Sequence, residues 1–305
     1  MSFPILASTF ANNILPIILI SSAGFVLGKL LHIDSRSLGR VVFYVFSPIL
    51  IFDLLIQNQL KMSEAAVVIA FAFSFILMMG AVTLILGHFL KLERPALISI
   101  LITTMFANTG NYGLPLVSFA FGEQALAYAG IYFVTTTCLF YTLGVLLASF
   151  GRMNIWEAVL GLFKVPTMYA VLLAVIISAW NIQIPAPFTR AIELAAGGAI
   201  PLMLILLGVQ LTHVEFSSNL RALQLSVSLR LLIAPLAALL FAALFGLQDF
   251  TRQGSVTQAS MPSMVSATVL ATEYDLDSKL VTAVVFISTL LSPLTLTPLL
   301  VFLGR

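Results

Sequence analysis

A chain of 305 residues with 60% hydrophobic and only 9% charged residues lacks the composition of a soluble domain, in which roughly a quarter of the residues are charged. The formal net charge is only +2 and no basic stripe is present, so nucleic acid is not an expected partner. With a mean hydropathy of +1.11, the chain is predicted to be an integral protein of the lipid bilayer.

Apolar stretches that are long enough to cross a membrane follow one another along the whole chain. About 20 apolar residues in a helix span the roughly 30 Å of hydrocarbon in a bilayer. The stretches that meet this length lie at approximately 10–31, 36–57, 64–90, 95–121, 125–150, 156–180, 187–211, 219–247, 252–272 and 278–303. The sequence therefore predicts an all-α membrane protein with ten transmembrane helices.

The Lys and Arg residues are distributed unevenly between the two sides of the predicted membrane. Of the 14 in the chain, eight lie at the connections after the odd-numbered spans, two lie further inside spans that start on that side, and four lie on the opposite side. Because cytoplasmic loops are enriched in Lys and Arg, we expect the first side to be cytoplasmic and both termini to be non-cytoplasmic. The expected location is the plasma membrane, which in a bacterium is the inner membrane.

Predicted span four contains a run that cannot continue a helix, from Asn108 to Pro115. It holds two Gly, two Asn and one Pro within apolar sequence. Hydrocarbon offers no water to the backbone groups that such a break frees, so protein or a polar cavity must surround them. Transporters bind their solutes at interrupted helices of this kind. The alternative is a proline kink in a continuous helix.

The second half of the chain weakly repeats the first, at an offset of about 150 residues. Pro48 in span two corresponds to Pro201 in span seven, and Pro115 in span four corresponds to Pro262 in span nine. Each half has five spans, an odd number, so the second half would enter the membrane inverted. Inverted repeats are typical of secondary transporters, although apolar sequences also align by chance. The predicted repeats are residues 1–152 and 153–305.

The two breaks predict one site built from helix ends and neutral polar groups. A helix N-terminus favours an anion, and the carbonyl end of a helix favours a cation or a proton donor. Amides and hydroxyls add contacts without the cost of burying a charge. Helices that cross at their breaks would bring both kinds of end together. The predicted substrate-binding residues are Asn108, Thr109, Asn111, Tyr112, Pro115, Gln258, Ser260, Pro262 and Ser263.

The run from Asn108 to Leu116 resembles the fourth-span motif of the auxin efflux carrier family. This family belongs to the bile acid and auxin carrier superfamily, and it includes the plant PIN proteins and bacterial malonate and malate carriers. Met261-Pro262 and the segment from Ala271 to Asp275 resemble the ninth-span region of the family more loosely. The resemblance covers the whole chain, whose length is typical of bacterial members.

The resemblance implies a carrier of two domains that works by an elevator mechanism. Helices 1, 2, 6 and 7 would form a scaffold, often as a homodimer. Helices 3–5 and 8–10 would form a moving transport domain in which broken helices 4 and 9 cross at their prolines. The family pattern also implies which residues lie at or near this crossing: Asn108, Asn111, Pro115, Gln258, Ser260 and Pro262.

Two charged side chains inside predicted spans are further candidates for a role in transport. Asp53 in span two is a candidate for proton or ion coupling, because acidic residues within membranes are functional by default; the alternative is that it reaches the interface. Arg230 lies about ten residues into span eight. It is a candidate for attracting an anion, for extending to the interface or for pairing with a carboxylate. No cofactor and no metal site are expected.

The sequence favours a carrier for a small organic anion, and the family resemblance favours a carboxylate. Coupling to protons, coupling to sodium and uniport all stay open, although the crossing has no nearby acid and two full sodium sites are not expected. A membrane ligand sensor that retains the carrier fold is the alternative. An enzyme is not expected, because the spans contain no paired Asp, Ser/His dyad or His-Glu-x-x-His run. The sequence identifies neither the substrate nor the direction of transport.

Overall fold

The structure is a computed structural model that describes residues 2–58, 60–149, 160–212, 217 and 219–304. These residues form helices and contain no strand, which confirms the all-α class. The main helices are α1 (Phe3–Leu31), α2 (Ser35–Gln57), α3 (Met62–Phe89), α4 (Arg94–Met105), α5 (Thr109–Ala148), α6 (Pro166–Ala179), α7 (Ala186–Gln210), α8 (Leu220–Leu244), α9 (Asp249–Ala259), α10 (Ser266–Glu273) and α11 (Ser278–Leu303). The predicted boundary between the two repeats, 152/153, lies outside the described residues.

Seven helices of the described chain are long and apolar enough to span a membrane, namely α1, α2, α3, α5, α7, α8 and α11. The sequence predicts ten spans, and the difference has physical reasons. Predicted spans four and nine are interrupted, so that α4, α9 and α10 are each too short to cross by themselves. Predicted span six begins among residues that the structure does not describe. Ten complete spans therefore stay a prediction.

Helix α5 consists of two apolar helices that meet at Gly122. The backbone there has φ 75° and ψ −166°, a conformation that residues with a side chain rarely adopt. Residues 114–121 precede this joint and residues 123–148 follow it. The joint falls where the sequence predicts the turn between spans four and five, so one continuous run of 40 residues contains the end of one predicted span and the whole of the next.

Four long helices contain a π-helical turn directly before a proline. In each case the proline is the second residue after the π turn. The carbonyl of the residue four positions before the proline lies within that turn. Proline has no N–H, and its ring collides with that carbonyl, so the wider π turn accommodates the misfit. Two of these turns hold residues of the predicted site, Asn111 and Arg230. The π turns are Phe10–Ile14, Val42–Phe46, Thr109–Gly113 and Leu229–Ile233.

Glycines allow two pairs of helices to approach closely. A Cβ atom on Gly208 of α7 would lie 1.8 Å from the carbonyl oxygen of Ser21 in α1. A Cβ atom on Gly254 of α9 would lie 2.5 Å from the carbonyl oxygen of Ala125 in α5. Small residues at such positions let backbones touch, which is how helices pack in membranes. The second pair, α5 and α9, consists of the helices that adjoin the two interruptions.

Candidate functional site

The two interruptions predicted from the sequence lie side by side. Helix α4 ends at Met105 and α5 begins at Thr109, while α9 ends at Ala259 and α10 begins at Ser266. We call residues 106–113 the first break and residues 260–265 the second break. Each break thus brings a helix C-terminus and a helix N-terminus into one region.

Backbone hydrogen bonds join the breaks in a short antiparallel pairing around Ala107. The N–H of Asn108 donates to the carbonyl of Pro262 at 2.8 Å, and the N–H of Met264 donates to the carbonyl of Phe106 at 3.0 Å. Backbone groups outside a helix must find partners when they are buried. Here each break supplies partners to the other, so neither break can be a simple kink in a separate helix.

Arg230 binds the carbonyl ends of both interrupted helices. Its Nη1 donates to the carbonyl of Thr104 at 2.9 Å, its Nη2 to that of Ala259 at 2.6 Å and its Nε to that of Met261 at 2.7 Å. The side chain is 0% exposed, so it does not extend to the surface. Among the described residues it forms no ion pair with a carboxylate. These contacts do not test the prediction that Arg230 attracts an anion.

Hydroxyl groups cap the remaining ends. The Ser263 hydroxyl donates to the carbonyl of Thr103 in the last turn of α4 at 2.8 Å, and the Ser263 N–H donates to the Ser288 hydroxyl at 3.2 Å. The Ser260 hydroxyl donates to the carbonyl of Val256 at 2.7 Å. Since the last carbonyls of a helix have no partner within it, the Ser263 hydroxyl supplies a donor to the end of α4, whereas the Val256 carbonyl also accepts the Ser260 N–H at 3.1 Å.

The first break leaves several buried polar side-chain atoms without a partner among the described residues. They are Nδ2 of Asn108, Oγ1 of Thr109 and, on the last turn of α9, Oε1 of Gln258. The orientation of the Gln258 amide is fixed because its Nε2 donates to the carbonyl of Ala129 at 3.1 Å. An unpaired buried polar atom costs about 1–3 kcal/mol. Each of these atoms could therefore gain free energy from a hydrogen-bond partner.

The N-terminal end of α5 is the accessible part of the first break. Asn108 and Thr109 are buried, whereas Gly110 and Asn111 are half-buried. The first N–H groups of a helix have no acceptor within it. The Asn111 side chain donates through Nδ2 to Oε1 of Gln210, the last residue of α7, at 3.2 Å. This hydrogen bond thus links the break to α7, a helix of the predicted scaffold.

Gly113 and Gln258 fit together in a way that the sequence does not reveal. A Cβ atom on Gly113 would lie 2.0 Å from Oε1 of Gln258, much closer than van der Waals contact. The amide of Gln258 therefore occupies the space that a side chain at position 113 would need. Because the two residues are far apart in the chain, their spacing gives no signal of this contact.

The other predicted site residues occupy different surroundings. Tyr112 is buried, and its hydroxyl accepts a hydrogen bond from Ser292 at 3.0 Å. Pro115 lies at the start of the α-helical part of α5, as expected for a residue without an N–H. Asp53 is half-buried in α2, where its carboxylate accepts a hydrogen bond from Gln57 at 2.8 Å.

A cavity of about 710 Å³ lies between the end of α2, the start of α3, the joint in α5 and the start of α9. Its lining includes Gln57, Gln124 and the ion pair of Lys61 with Glu64, whose atoms are 3.2 Å apart. Tyr128 donates its hydroxyl proton to Glu64. No pattern in the sequence indicates this cavity, and no predicted substrate-binding residue lines it.

Comparisons with known proteins extend over nearly the whole chain. The family model for membrane transport proteins matches residues 9–155 and 149–300. An uncharacterized transporter of Methanothermobacter thermautotrophicus is 30% identical over 285 residues, which cover 93% of this chain and 94% of the relative. An uncharacterized transporter of Methanocaldococcus jannaschii is 25% identical over 298 residues, with coverage of 93% and 94%. Both relatives are archaeal, so the bacterial origin implied by the resemblance stays a prediction.

Proposed function

The chain belongs to the family of membrane transport proteins, and from that premise we propose that it carries a small organic anion across the membrane. The matched relatives are transporters, which agrees with the prediction that the chain is not an enzyme. Several apolar helices of spanning length agree with an integral membrane protein. The substrate class, the binding site and the mechanism are the proposed parts.

The observation that carries the proposal is the set of unpaired polar atoms beside a helix N-terminus. Asn108 Nδ2 is a donor, Thr109 Oγ1 is a donor or acceptor, and both adjoin the start of α5. The positive end of a helix dipole stabilises negative charge, and free N–H groups point at the ligand. A carboxylate bound here would accept hydrogen bonds from the amide and the hydroxyl without burying a second charge.

The amide of Gln258 further restricts the range of acids that we propose as substrates. Its Oε1 is unpaired and can only accept a hydrogen bond, because Nε2 is already engaged with Ala129. A substrate that bridges the first break and Gln258 would therefore carry a hydrogen-bond donor near its carboxylate. Hydroxy acids, indole-type acids and dicarboxylates that retain one proton all have this combination. A carboxylate without a donor would leave the Gln258 oxygen unsatisfied.

We propose an elevator mechanism on two inverted five-helix repeats, residues 1–152 and 153–305. Helices α4 with the start of α5, and α9 with α10, would be the interrupted spans that cross at Pro115 and Pro262. The remainder of α5, with α3, α8 and α11, would complete the transport domain, and α1, α2, α6 and α7 the scaffold. The hydrogen-bonded pairing of the breaks and the close contact between α1 and α7 support this division.

Several further properties of the proposed carrier rest on the charge pattern of the sequence and on the family resemblance. We propose a homodimer in the plasma membrane, with both termini on the non-cytoplasmic side. Asp53 is the proposed group for proton or ion coupling, since it is an acidic side chain within a spanning helix. If so, replacing Asp53 by Asn removes the response of transport to a pH gradient or a sodium gradient. Retained coupling in that variant would remove Asp53 from the mechanism.

The proposal is tested by transport of labelled carboxylates into proteoliposomes, with the sodium gradient and the pH gradient varied independently. We expect uptake of acids that carry a donor and little uptake of matched acids that lack one. Asn111→Ala should slow transport, while Asn12→Ala, at an exposed position of α1, should not. Binding of a carboxylate without transport under any gradient would instead favour a membrane ligand sensor.

A further inference from the structure

Arg230 stands out as a fully buried cation with no carboxylate partner among the described residues. Its three hydrogen bonds all go to backbone carbonyls, at 2.6, 2.7 and 2.9 Å. One of these carbonyls belongs to Ala259, the last residue of α9, one belongs to Met261 just after it, and the third lies in the last turn of α4. A charge taken out of water is costly unless good partners compensate it. The partners here are the negative ends of two helices.

The charges of these helix ends balance that of the guanidinium. Each helix C-terminus carries the equivalent of about −0.5 elementary charge. Two such ends therefore present about −1, which the single positive charge of Arg230 offsets. The carbonyl oxygens converge from both interrupted helices, and such carbonyl sets bind hard cations in proteins and coupling ions in transporters. The side chain of Arg230 occupies the position that a mobile cation would take.

The surroundings hold Arg230 in this place. Ser226 lies one turn earlier in α8, and its hydroxyl is 2.8 Å from the hydroxyl of Thr103 in α4. The π turn Leu229–Ile233 precedes Pro235 and contains Arg230. Within the described part of the chain, no cluster of three or more His, Cys, Asp or Glu side chains is arranged to hold a metal ion. The cation that binds the C-terminal carbonyls of α4 and α9 is therefore a side chain of the protein itself, the guanidinium of Arg230.

We propose that Arg230 is the resident cation of the paired breaks, acting as a positioning residue that holds both helix ends in place of a metal ion. The chain would thus need no sodium or potassium ion at this position. The part concerning transport rests on the proposed function, whereas the cation site itself does not. In consequence, removing the side chain should create a site that a free cation can fill.

The test is chemical rescue of Arg230→Ala. Purified variant protein in detergent is titrated with guanidinium chloride at low millimolar concentration, with sodium and potassium chloride in parallel, and the melting temperature is measured. We expect the variant to melt well below the wild type, and guanidinium to raise its melting temperature in a saturable manner. The wild type and Arg252→Ala should show no such rise. Arg252 is the matched control, a half-buried arginine of α9 that packs on Phe302.

Two further variants keep the proposal testable if Arg230→Ala does not fold. Arg230→Lys retains the charge and Arg230→Met retains most of the length without it. We expect the Lys variant to be more stable and to transport at least about tenfold faster than the Met variant, a ratio that corresponds to about 1.4 kcal/mol. Equal loss in both variants, or a Met variant as stable as the wild type, would overturn the proposal.

The dependence of wild-type transport on cations is the last arm of the test. Because Asp53 is the proposed coupling group elsewhere in the chain, the comparison is made in wild type and in Asp53→Asn. Since Arg230 already fills the carbonyl site, we expect the Asp53→Asn variant to transport at the same rate when sodium, potassium or N-methylglucamine is the sole cation on both sides. A strict requirement for sodium that persists in Asp53→Asn would overturn the transport part. Failure of every carboxylate to move would refute the proposed function, yet the rescue of Arg230→Ala by guanidinium would still decide whether the cation site exists.

Discussion

The two breaks occupy matching places in the predicted repeats, yet they differ in whether their polar side chains have hydrogen-bond partners. In the second break, the side chains of Ser260 and Ser263 both donate to carbonyls, and Arg230 binds the carbonyls that remain. In the first break, Asn108 and Thr109 keep unpaired polar atoms. The side chains of Ser260 and Ser263 are thus paired within the protein, whereas the first break and Gln258, on the last turn of α9, keep unpaired atoms. We infer that the second break serves stability and that the first break, together with Gln258, serves binding.

The largest expected effect comes from the contact between the first break and Gln258 on the last turn of α9. Gly113→Ala would place a Cβ atom 2.0 Å from Oε1 of Gln258, so that the Gln258 amide must leave its hydrogen bond to Ala129 or the backbone must shift. Overpacking of this kind costs about 1–3 kcal/mol or more, and we expect a large fall in melting temperature together with loss of transport. Gly197→Ala is the control, since nothing lies within 4 Å of a Cβ atom at that position of α7.

A double variant separates the clash from a general need for glycine. Adding Gln258→Ala to Gly113→Ala removes the amide that occupies the space, so part of the lost stability should return. Transport should stay low, because Oε1 of Gln258 is a proposed substrate contact. If the double variant is no more stable than Gly113→Ala alone, the contact with Gln258 is not the reason why position 113 requires a glycine.

Ser263→Ala tests the structural role of the second break. The change leaves the carbonyl of Thr103 without its buried donor, which costs about 1–3 kcal/mol. We expect a lower melting temperature and an unchanged KM for transport by the surviving folded protein. A raised KM with unchanged stability would mean that the second break contacts the substrate, and the contrast between the breaks would be lost.

Asn108→Ala tests the proposed binding role of the first break. Its expected effects are the reverse of those of Ser263→Ala, because transport should change and stability should not. The amide Nδ2 already lacks a partner, so its removal should leave the melting temperature unchanged or slightly raised. Transport should fall about tenfold, equivalent to about 1.4 kcal/mol of lost substrate contact. Asn12→Ala on the exposed side of α1 provides the control for the loss of an Asn side chain. A destabilised Asn108→Ala variant that transports normally would assign this residue to structure.

The sequence was sufficient to predict the all-α class and the two interruptions, because Gly, Asn and Pro act locally on the helix. Hydropathy predicts ten spans, whereas seven helices of the described chain are long enough to cross a membrane. The difference includes α4, α9 and α10, which are short because their spans are interrupted. Helix α9 is polar, so its surroundings rather than its own composition determine its place. The contact of Arg230 with Thr104 joins residues 126 positions apart, and no local pattern encodes such a distance.

The smallest expected effect concerns the hydrogen bond between Asn111 and Gln210, which joins the first break to α7 at 3.2 Å. A neutral hydrogen bond contributes about 0.5–1.5 kcal/mol. If α7 belongs to the scaffold and the break moves, this bond exists in only one position of the transport domain. Gln210→Ala should then change the transport rate severalfold without lowering the melting temperature. Asn111→Ala should reduce transport further, because the break loses a group that also faces the substrate. Equal rates in both single variants and in the double variant would limit Asn111 to the contact with α7, and an Asn111→Ala variant with the normal rate would remove it from the site.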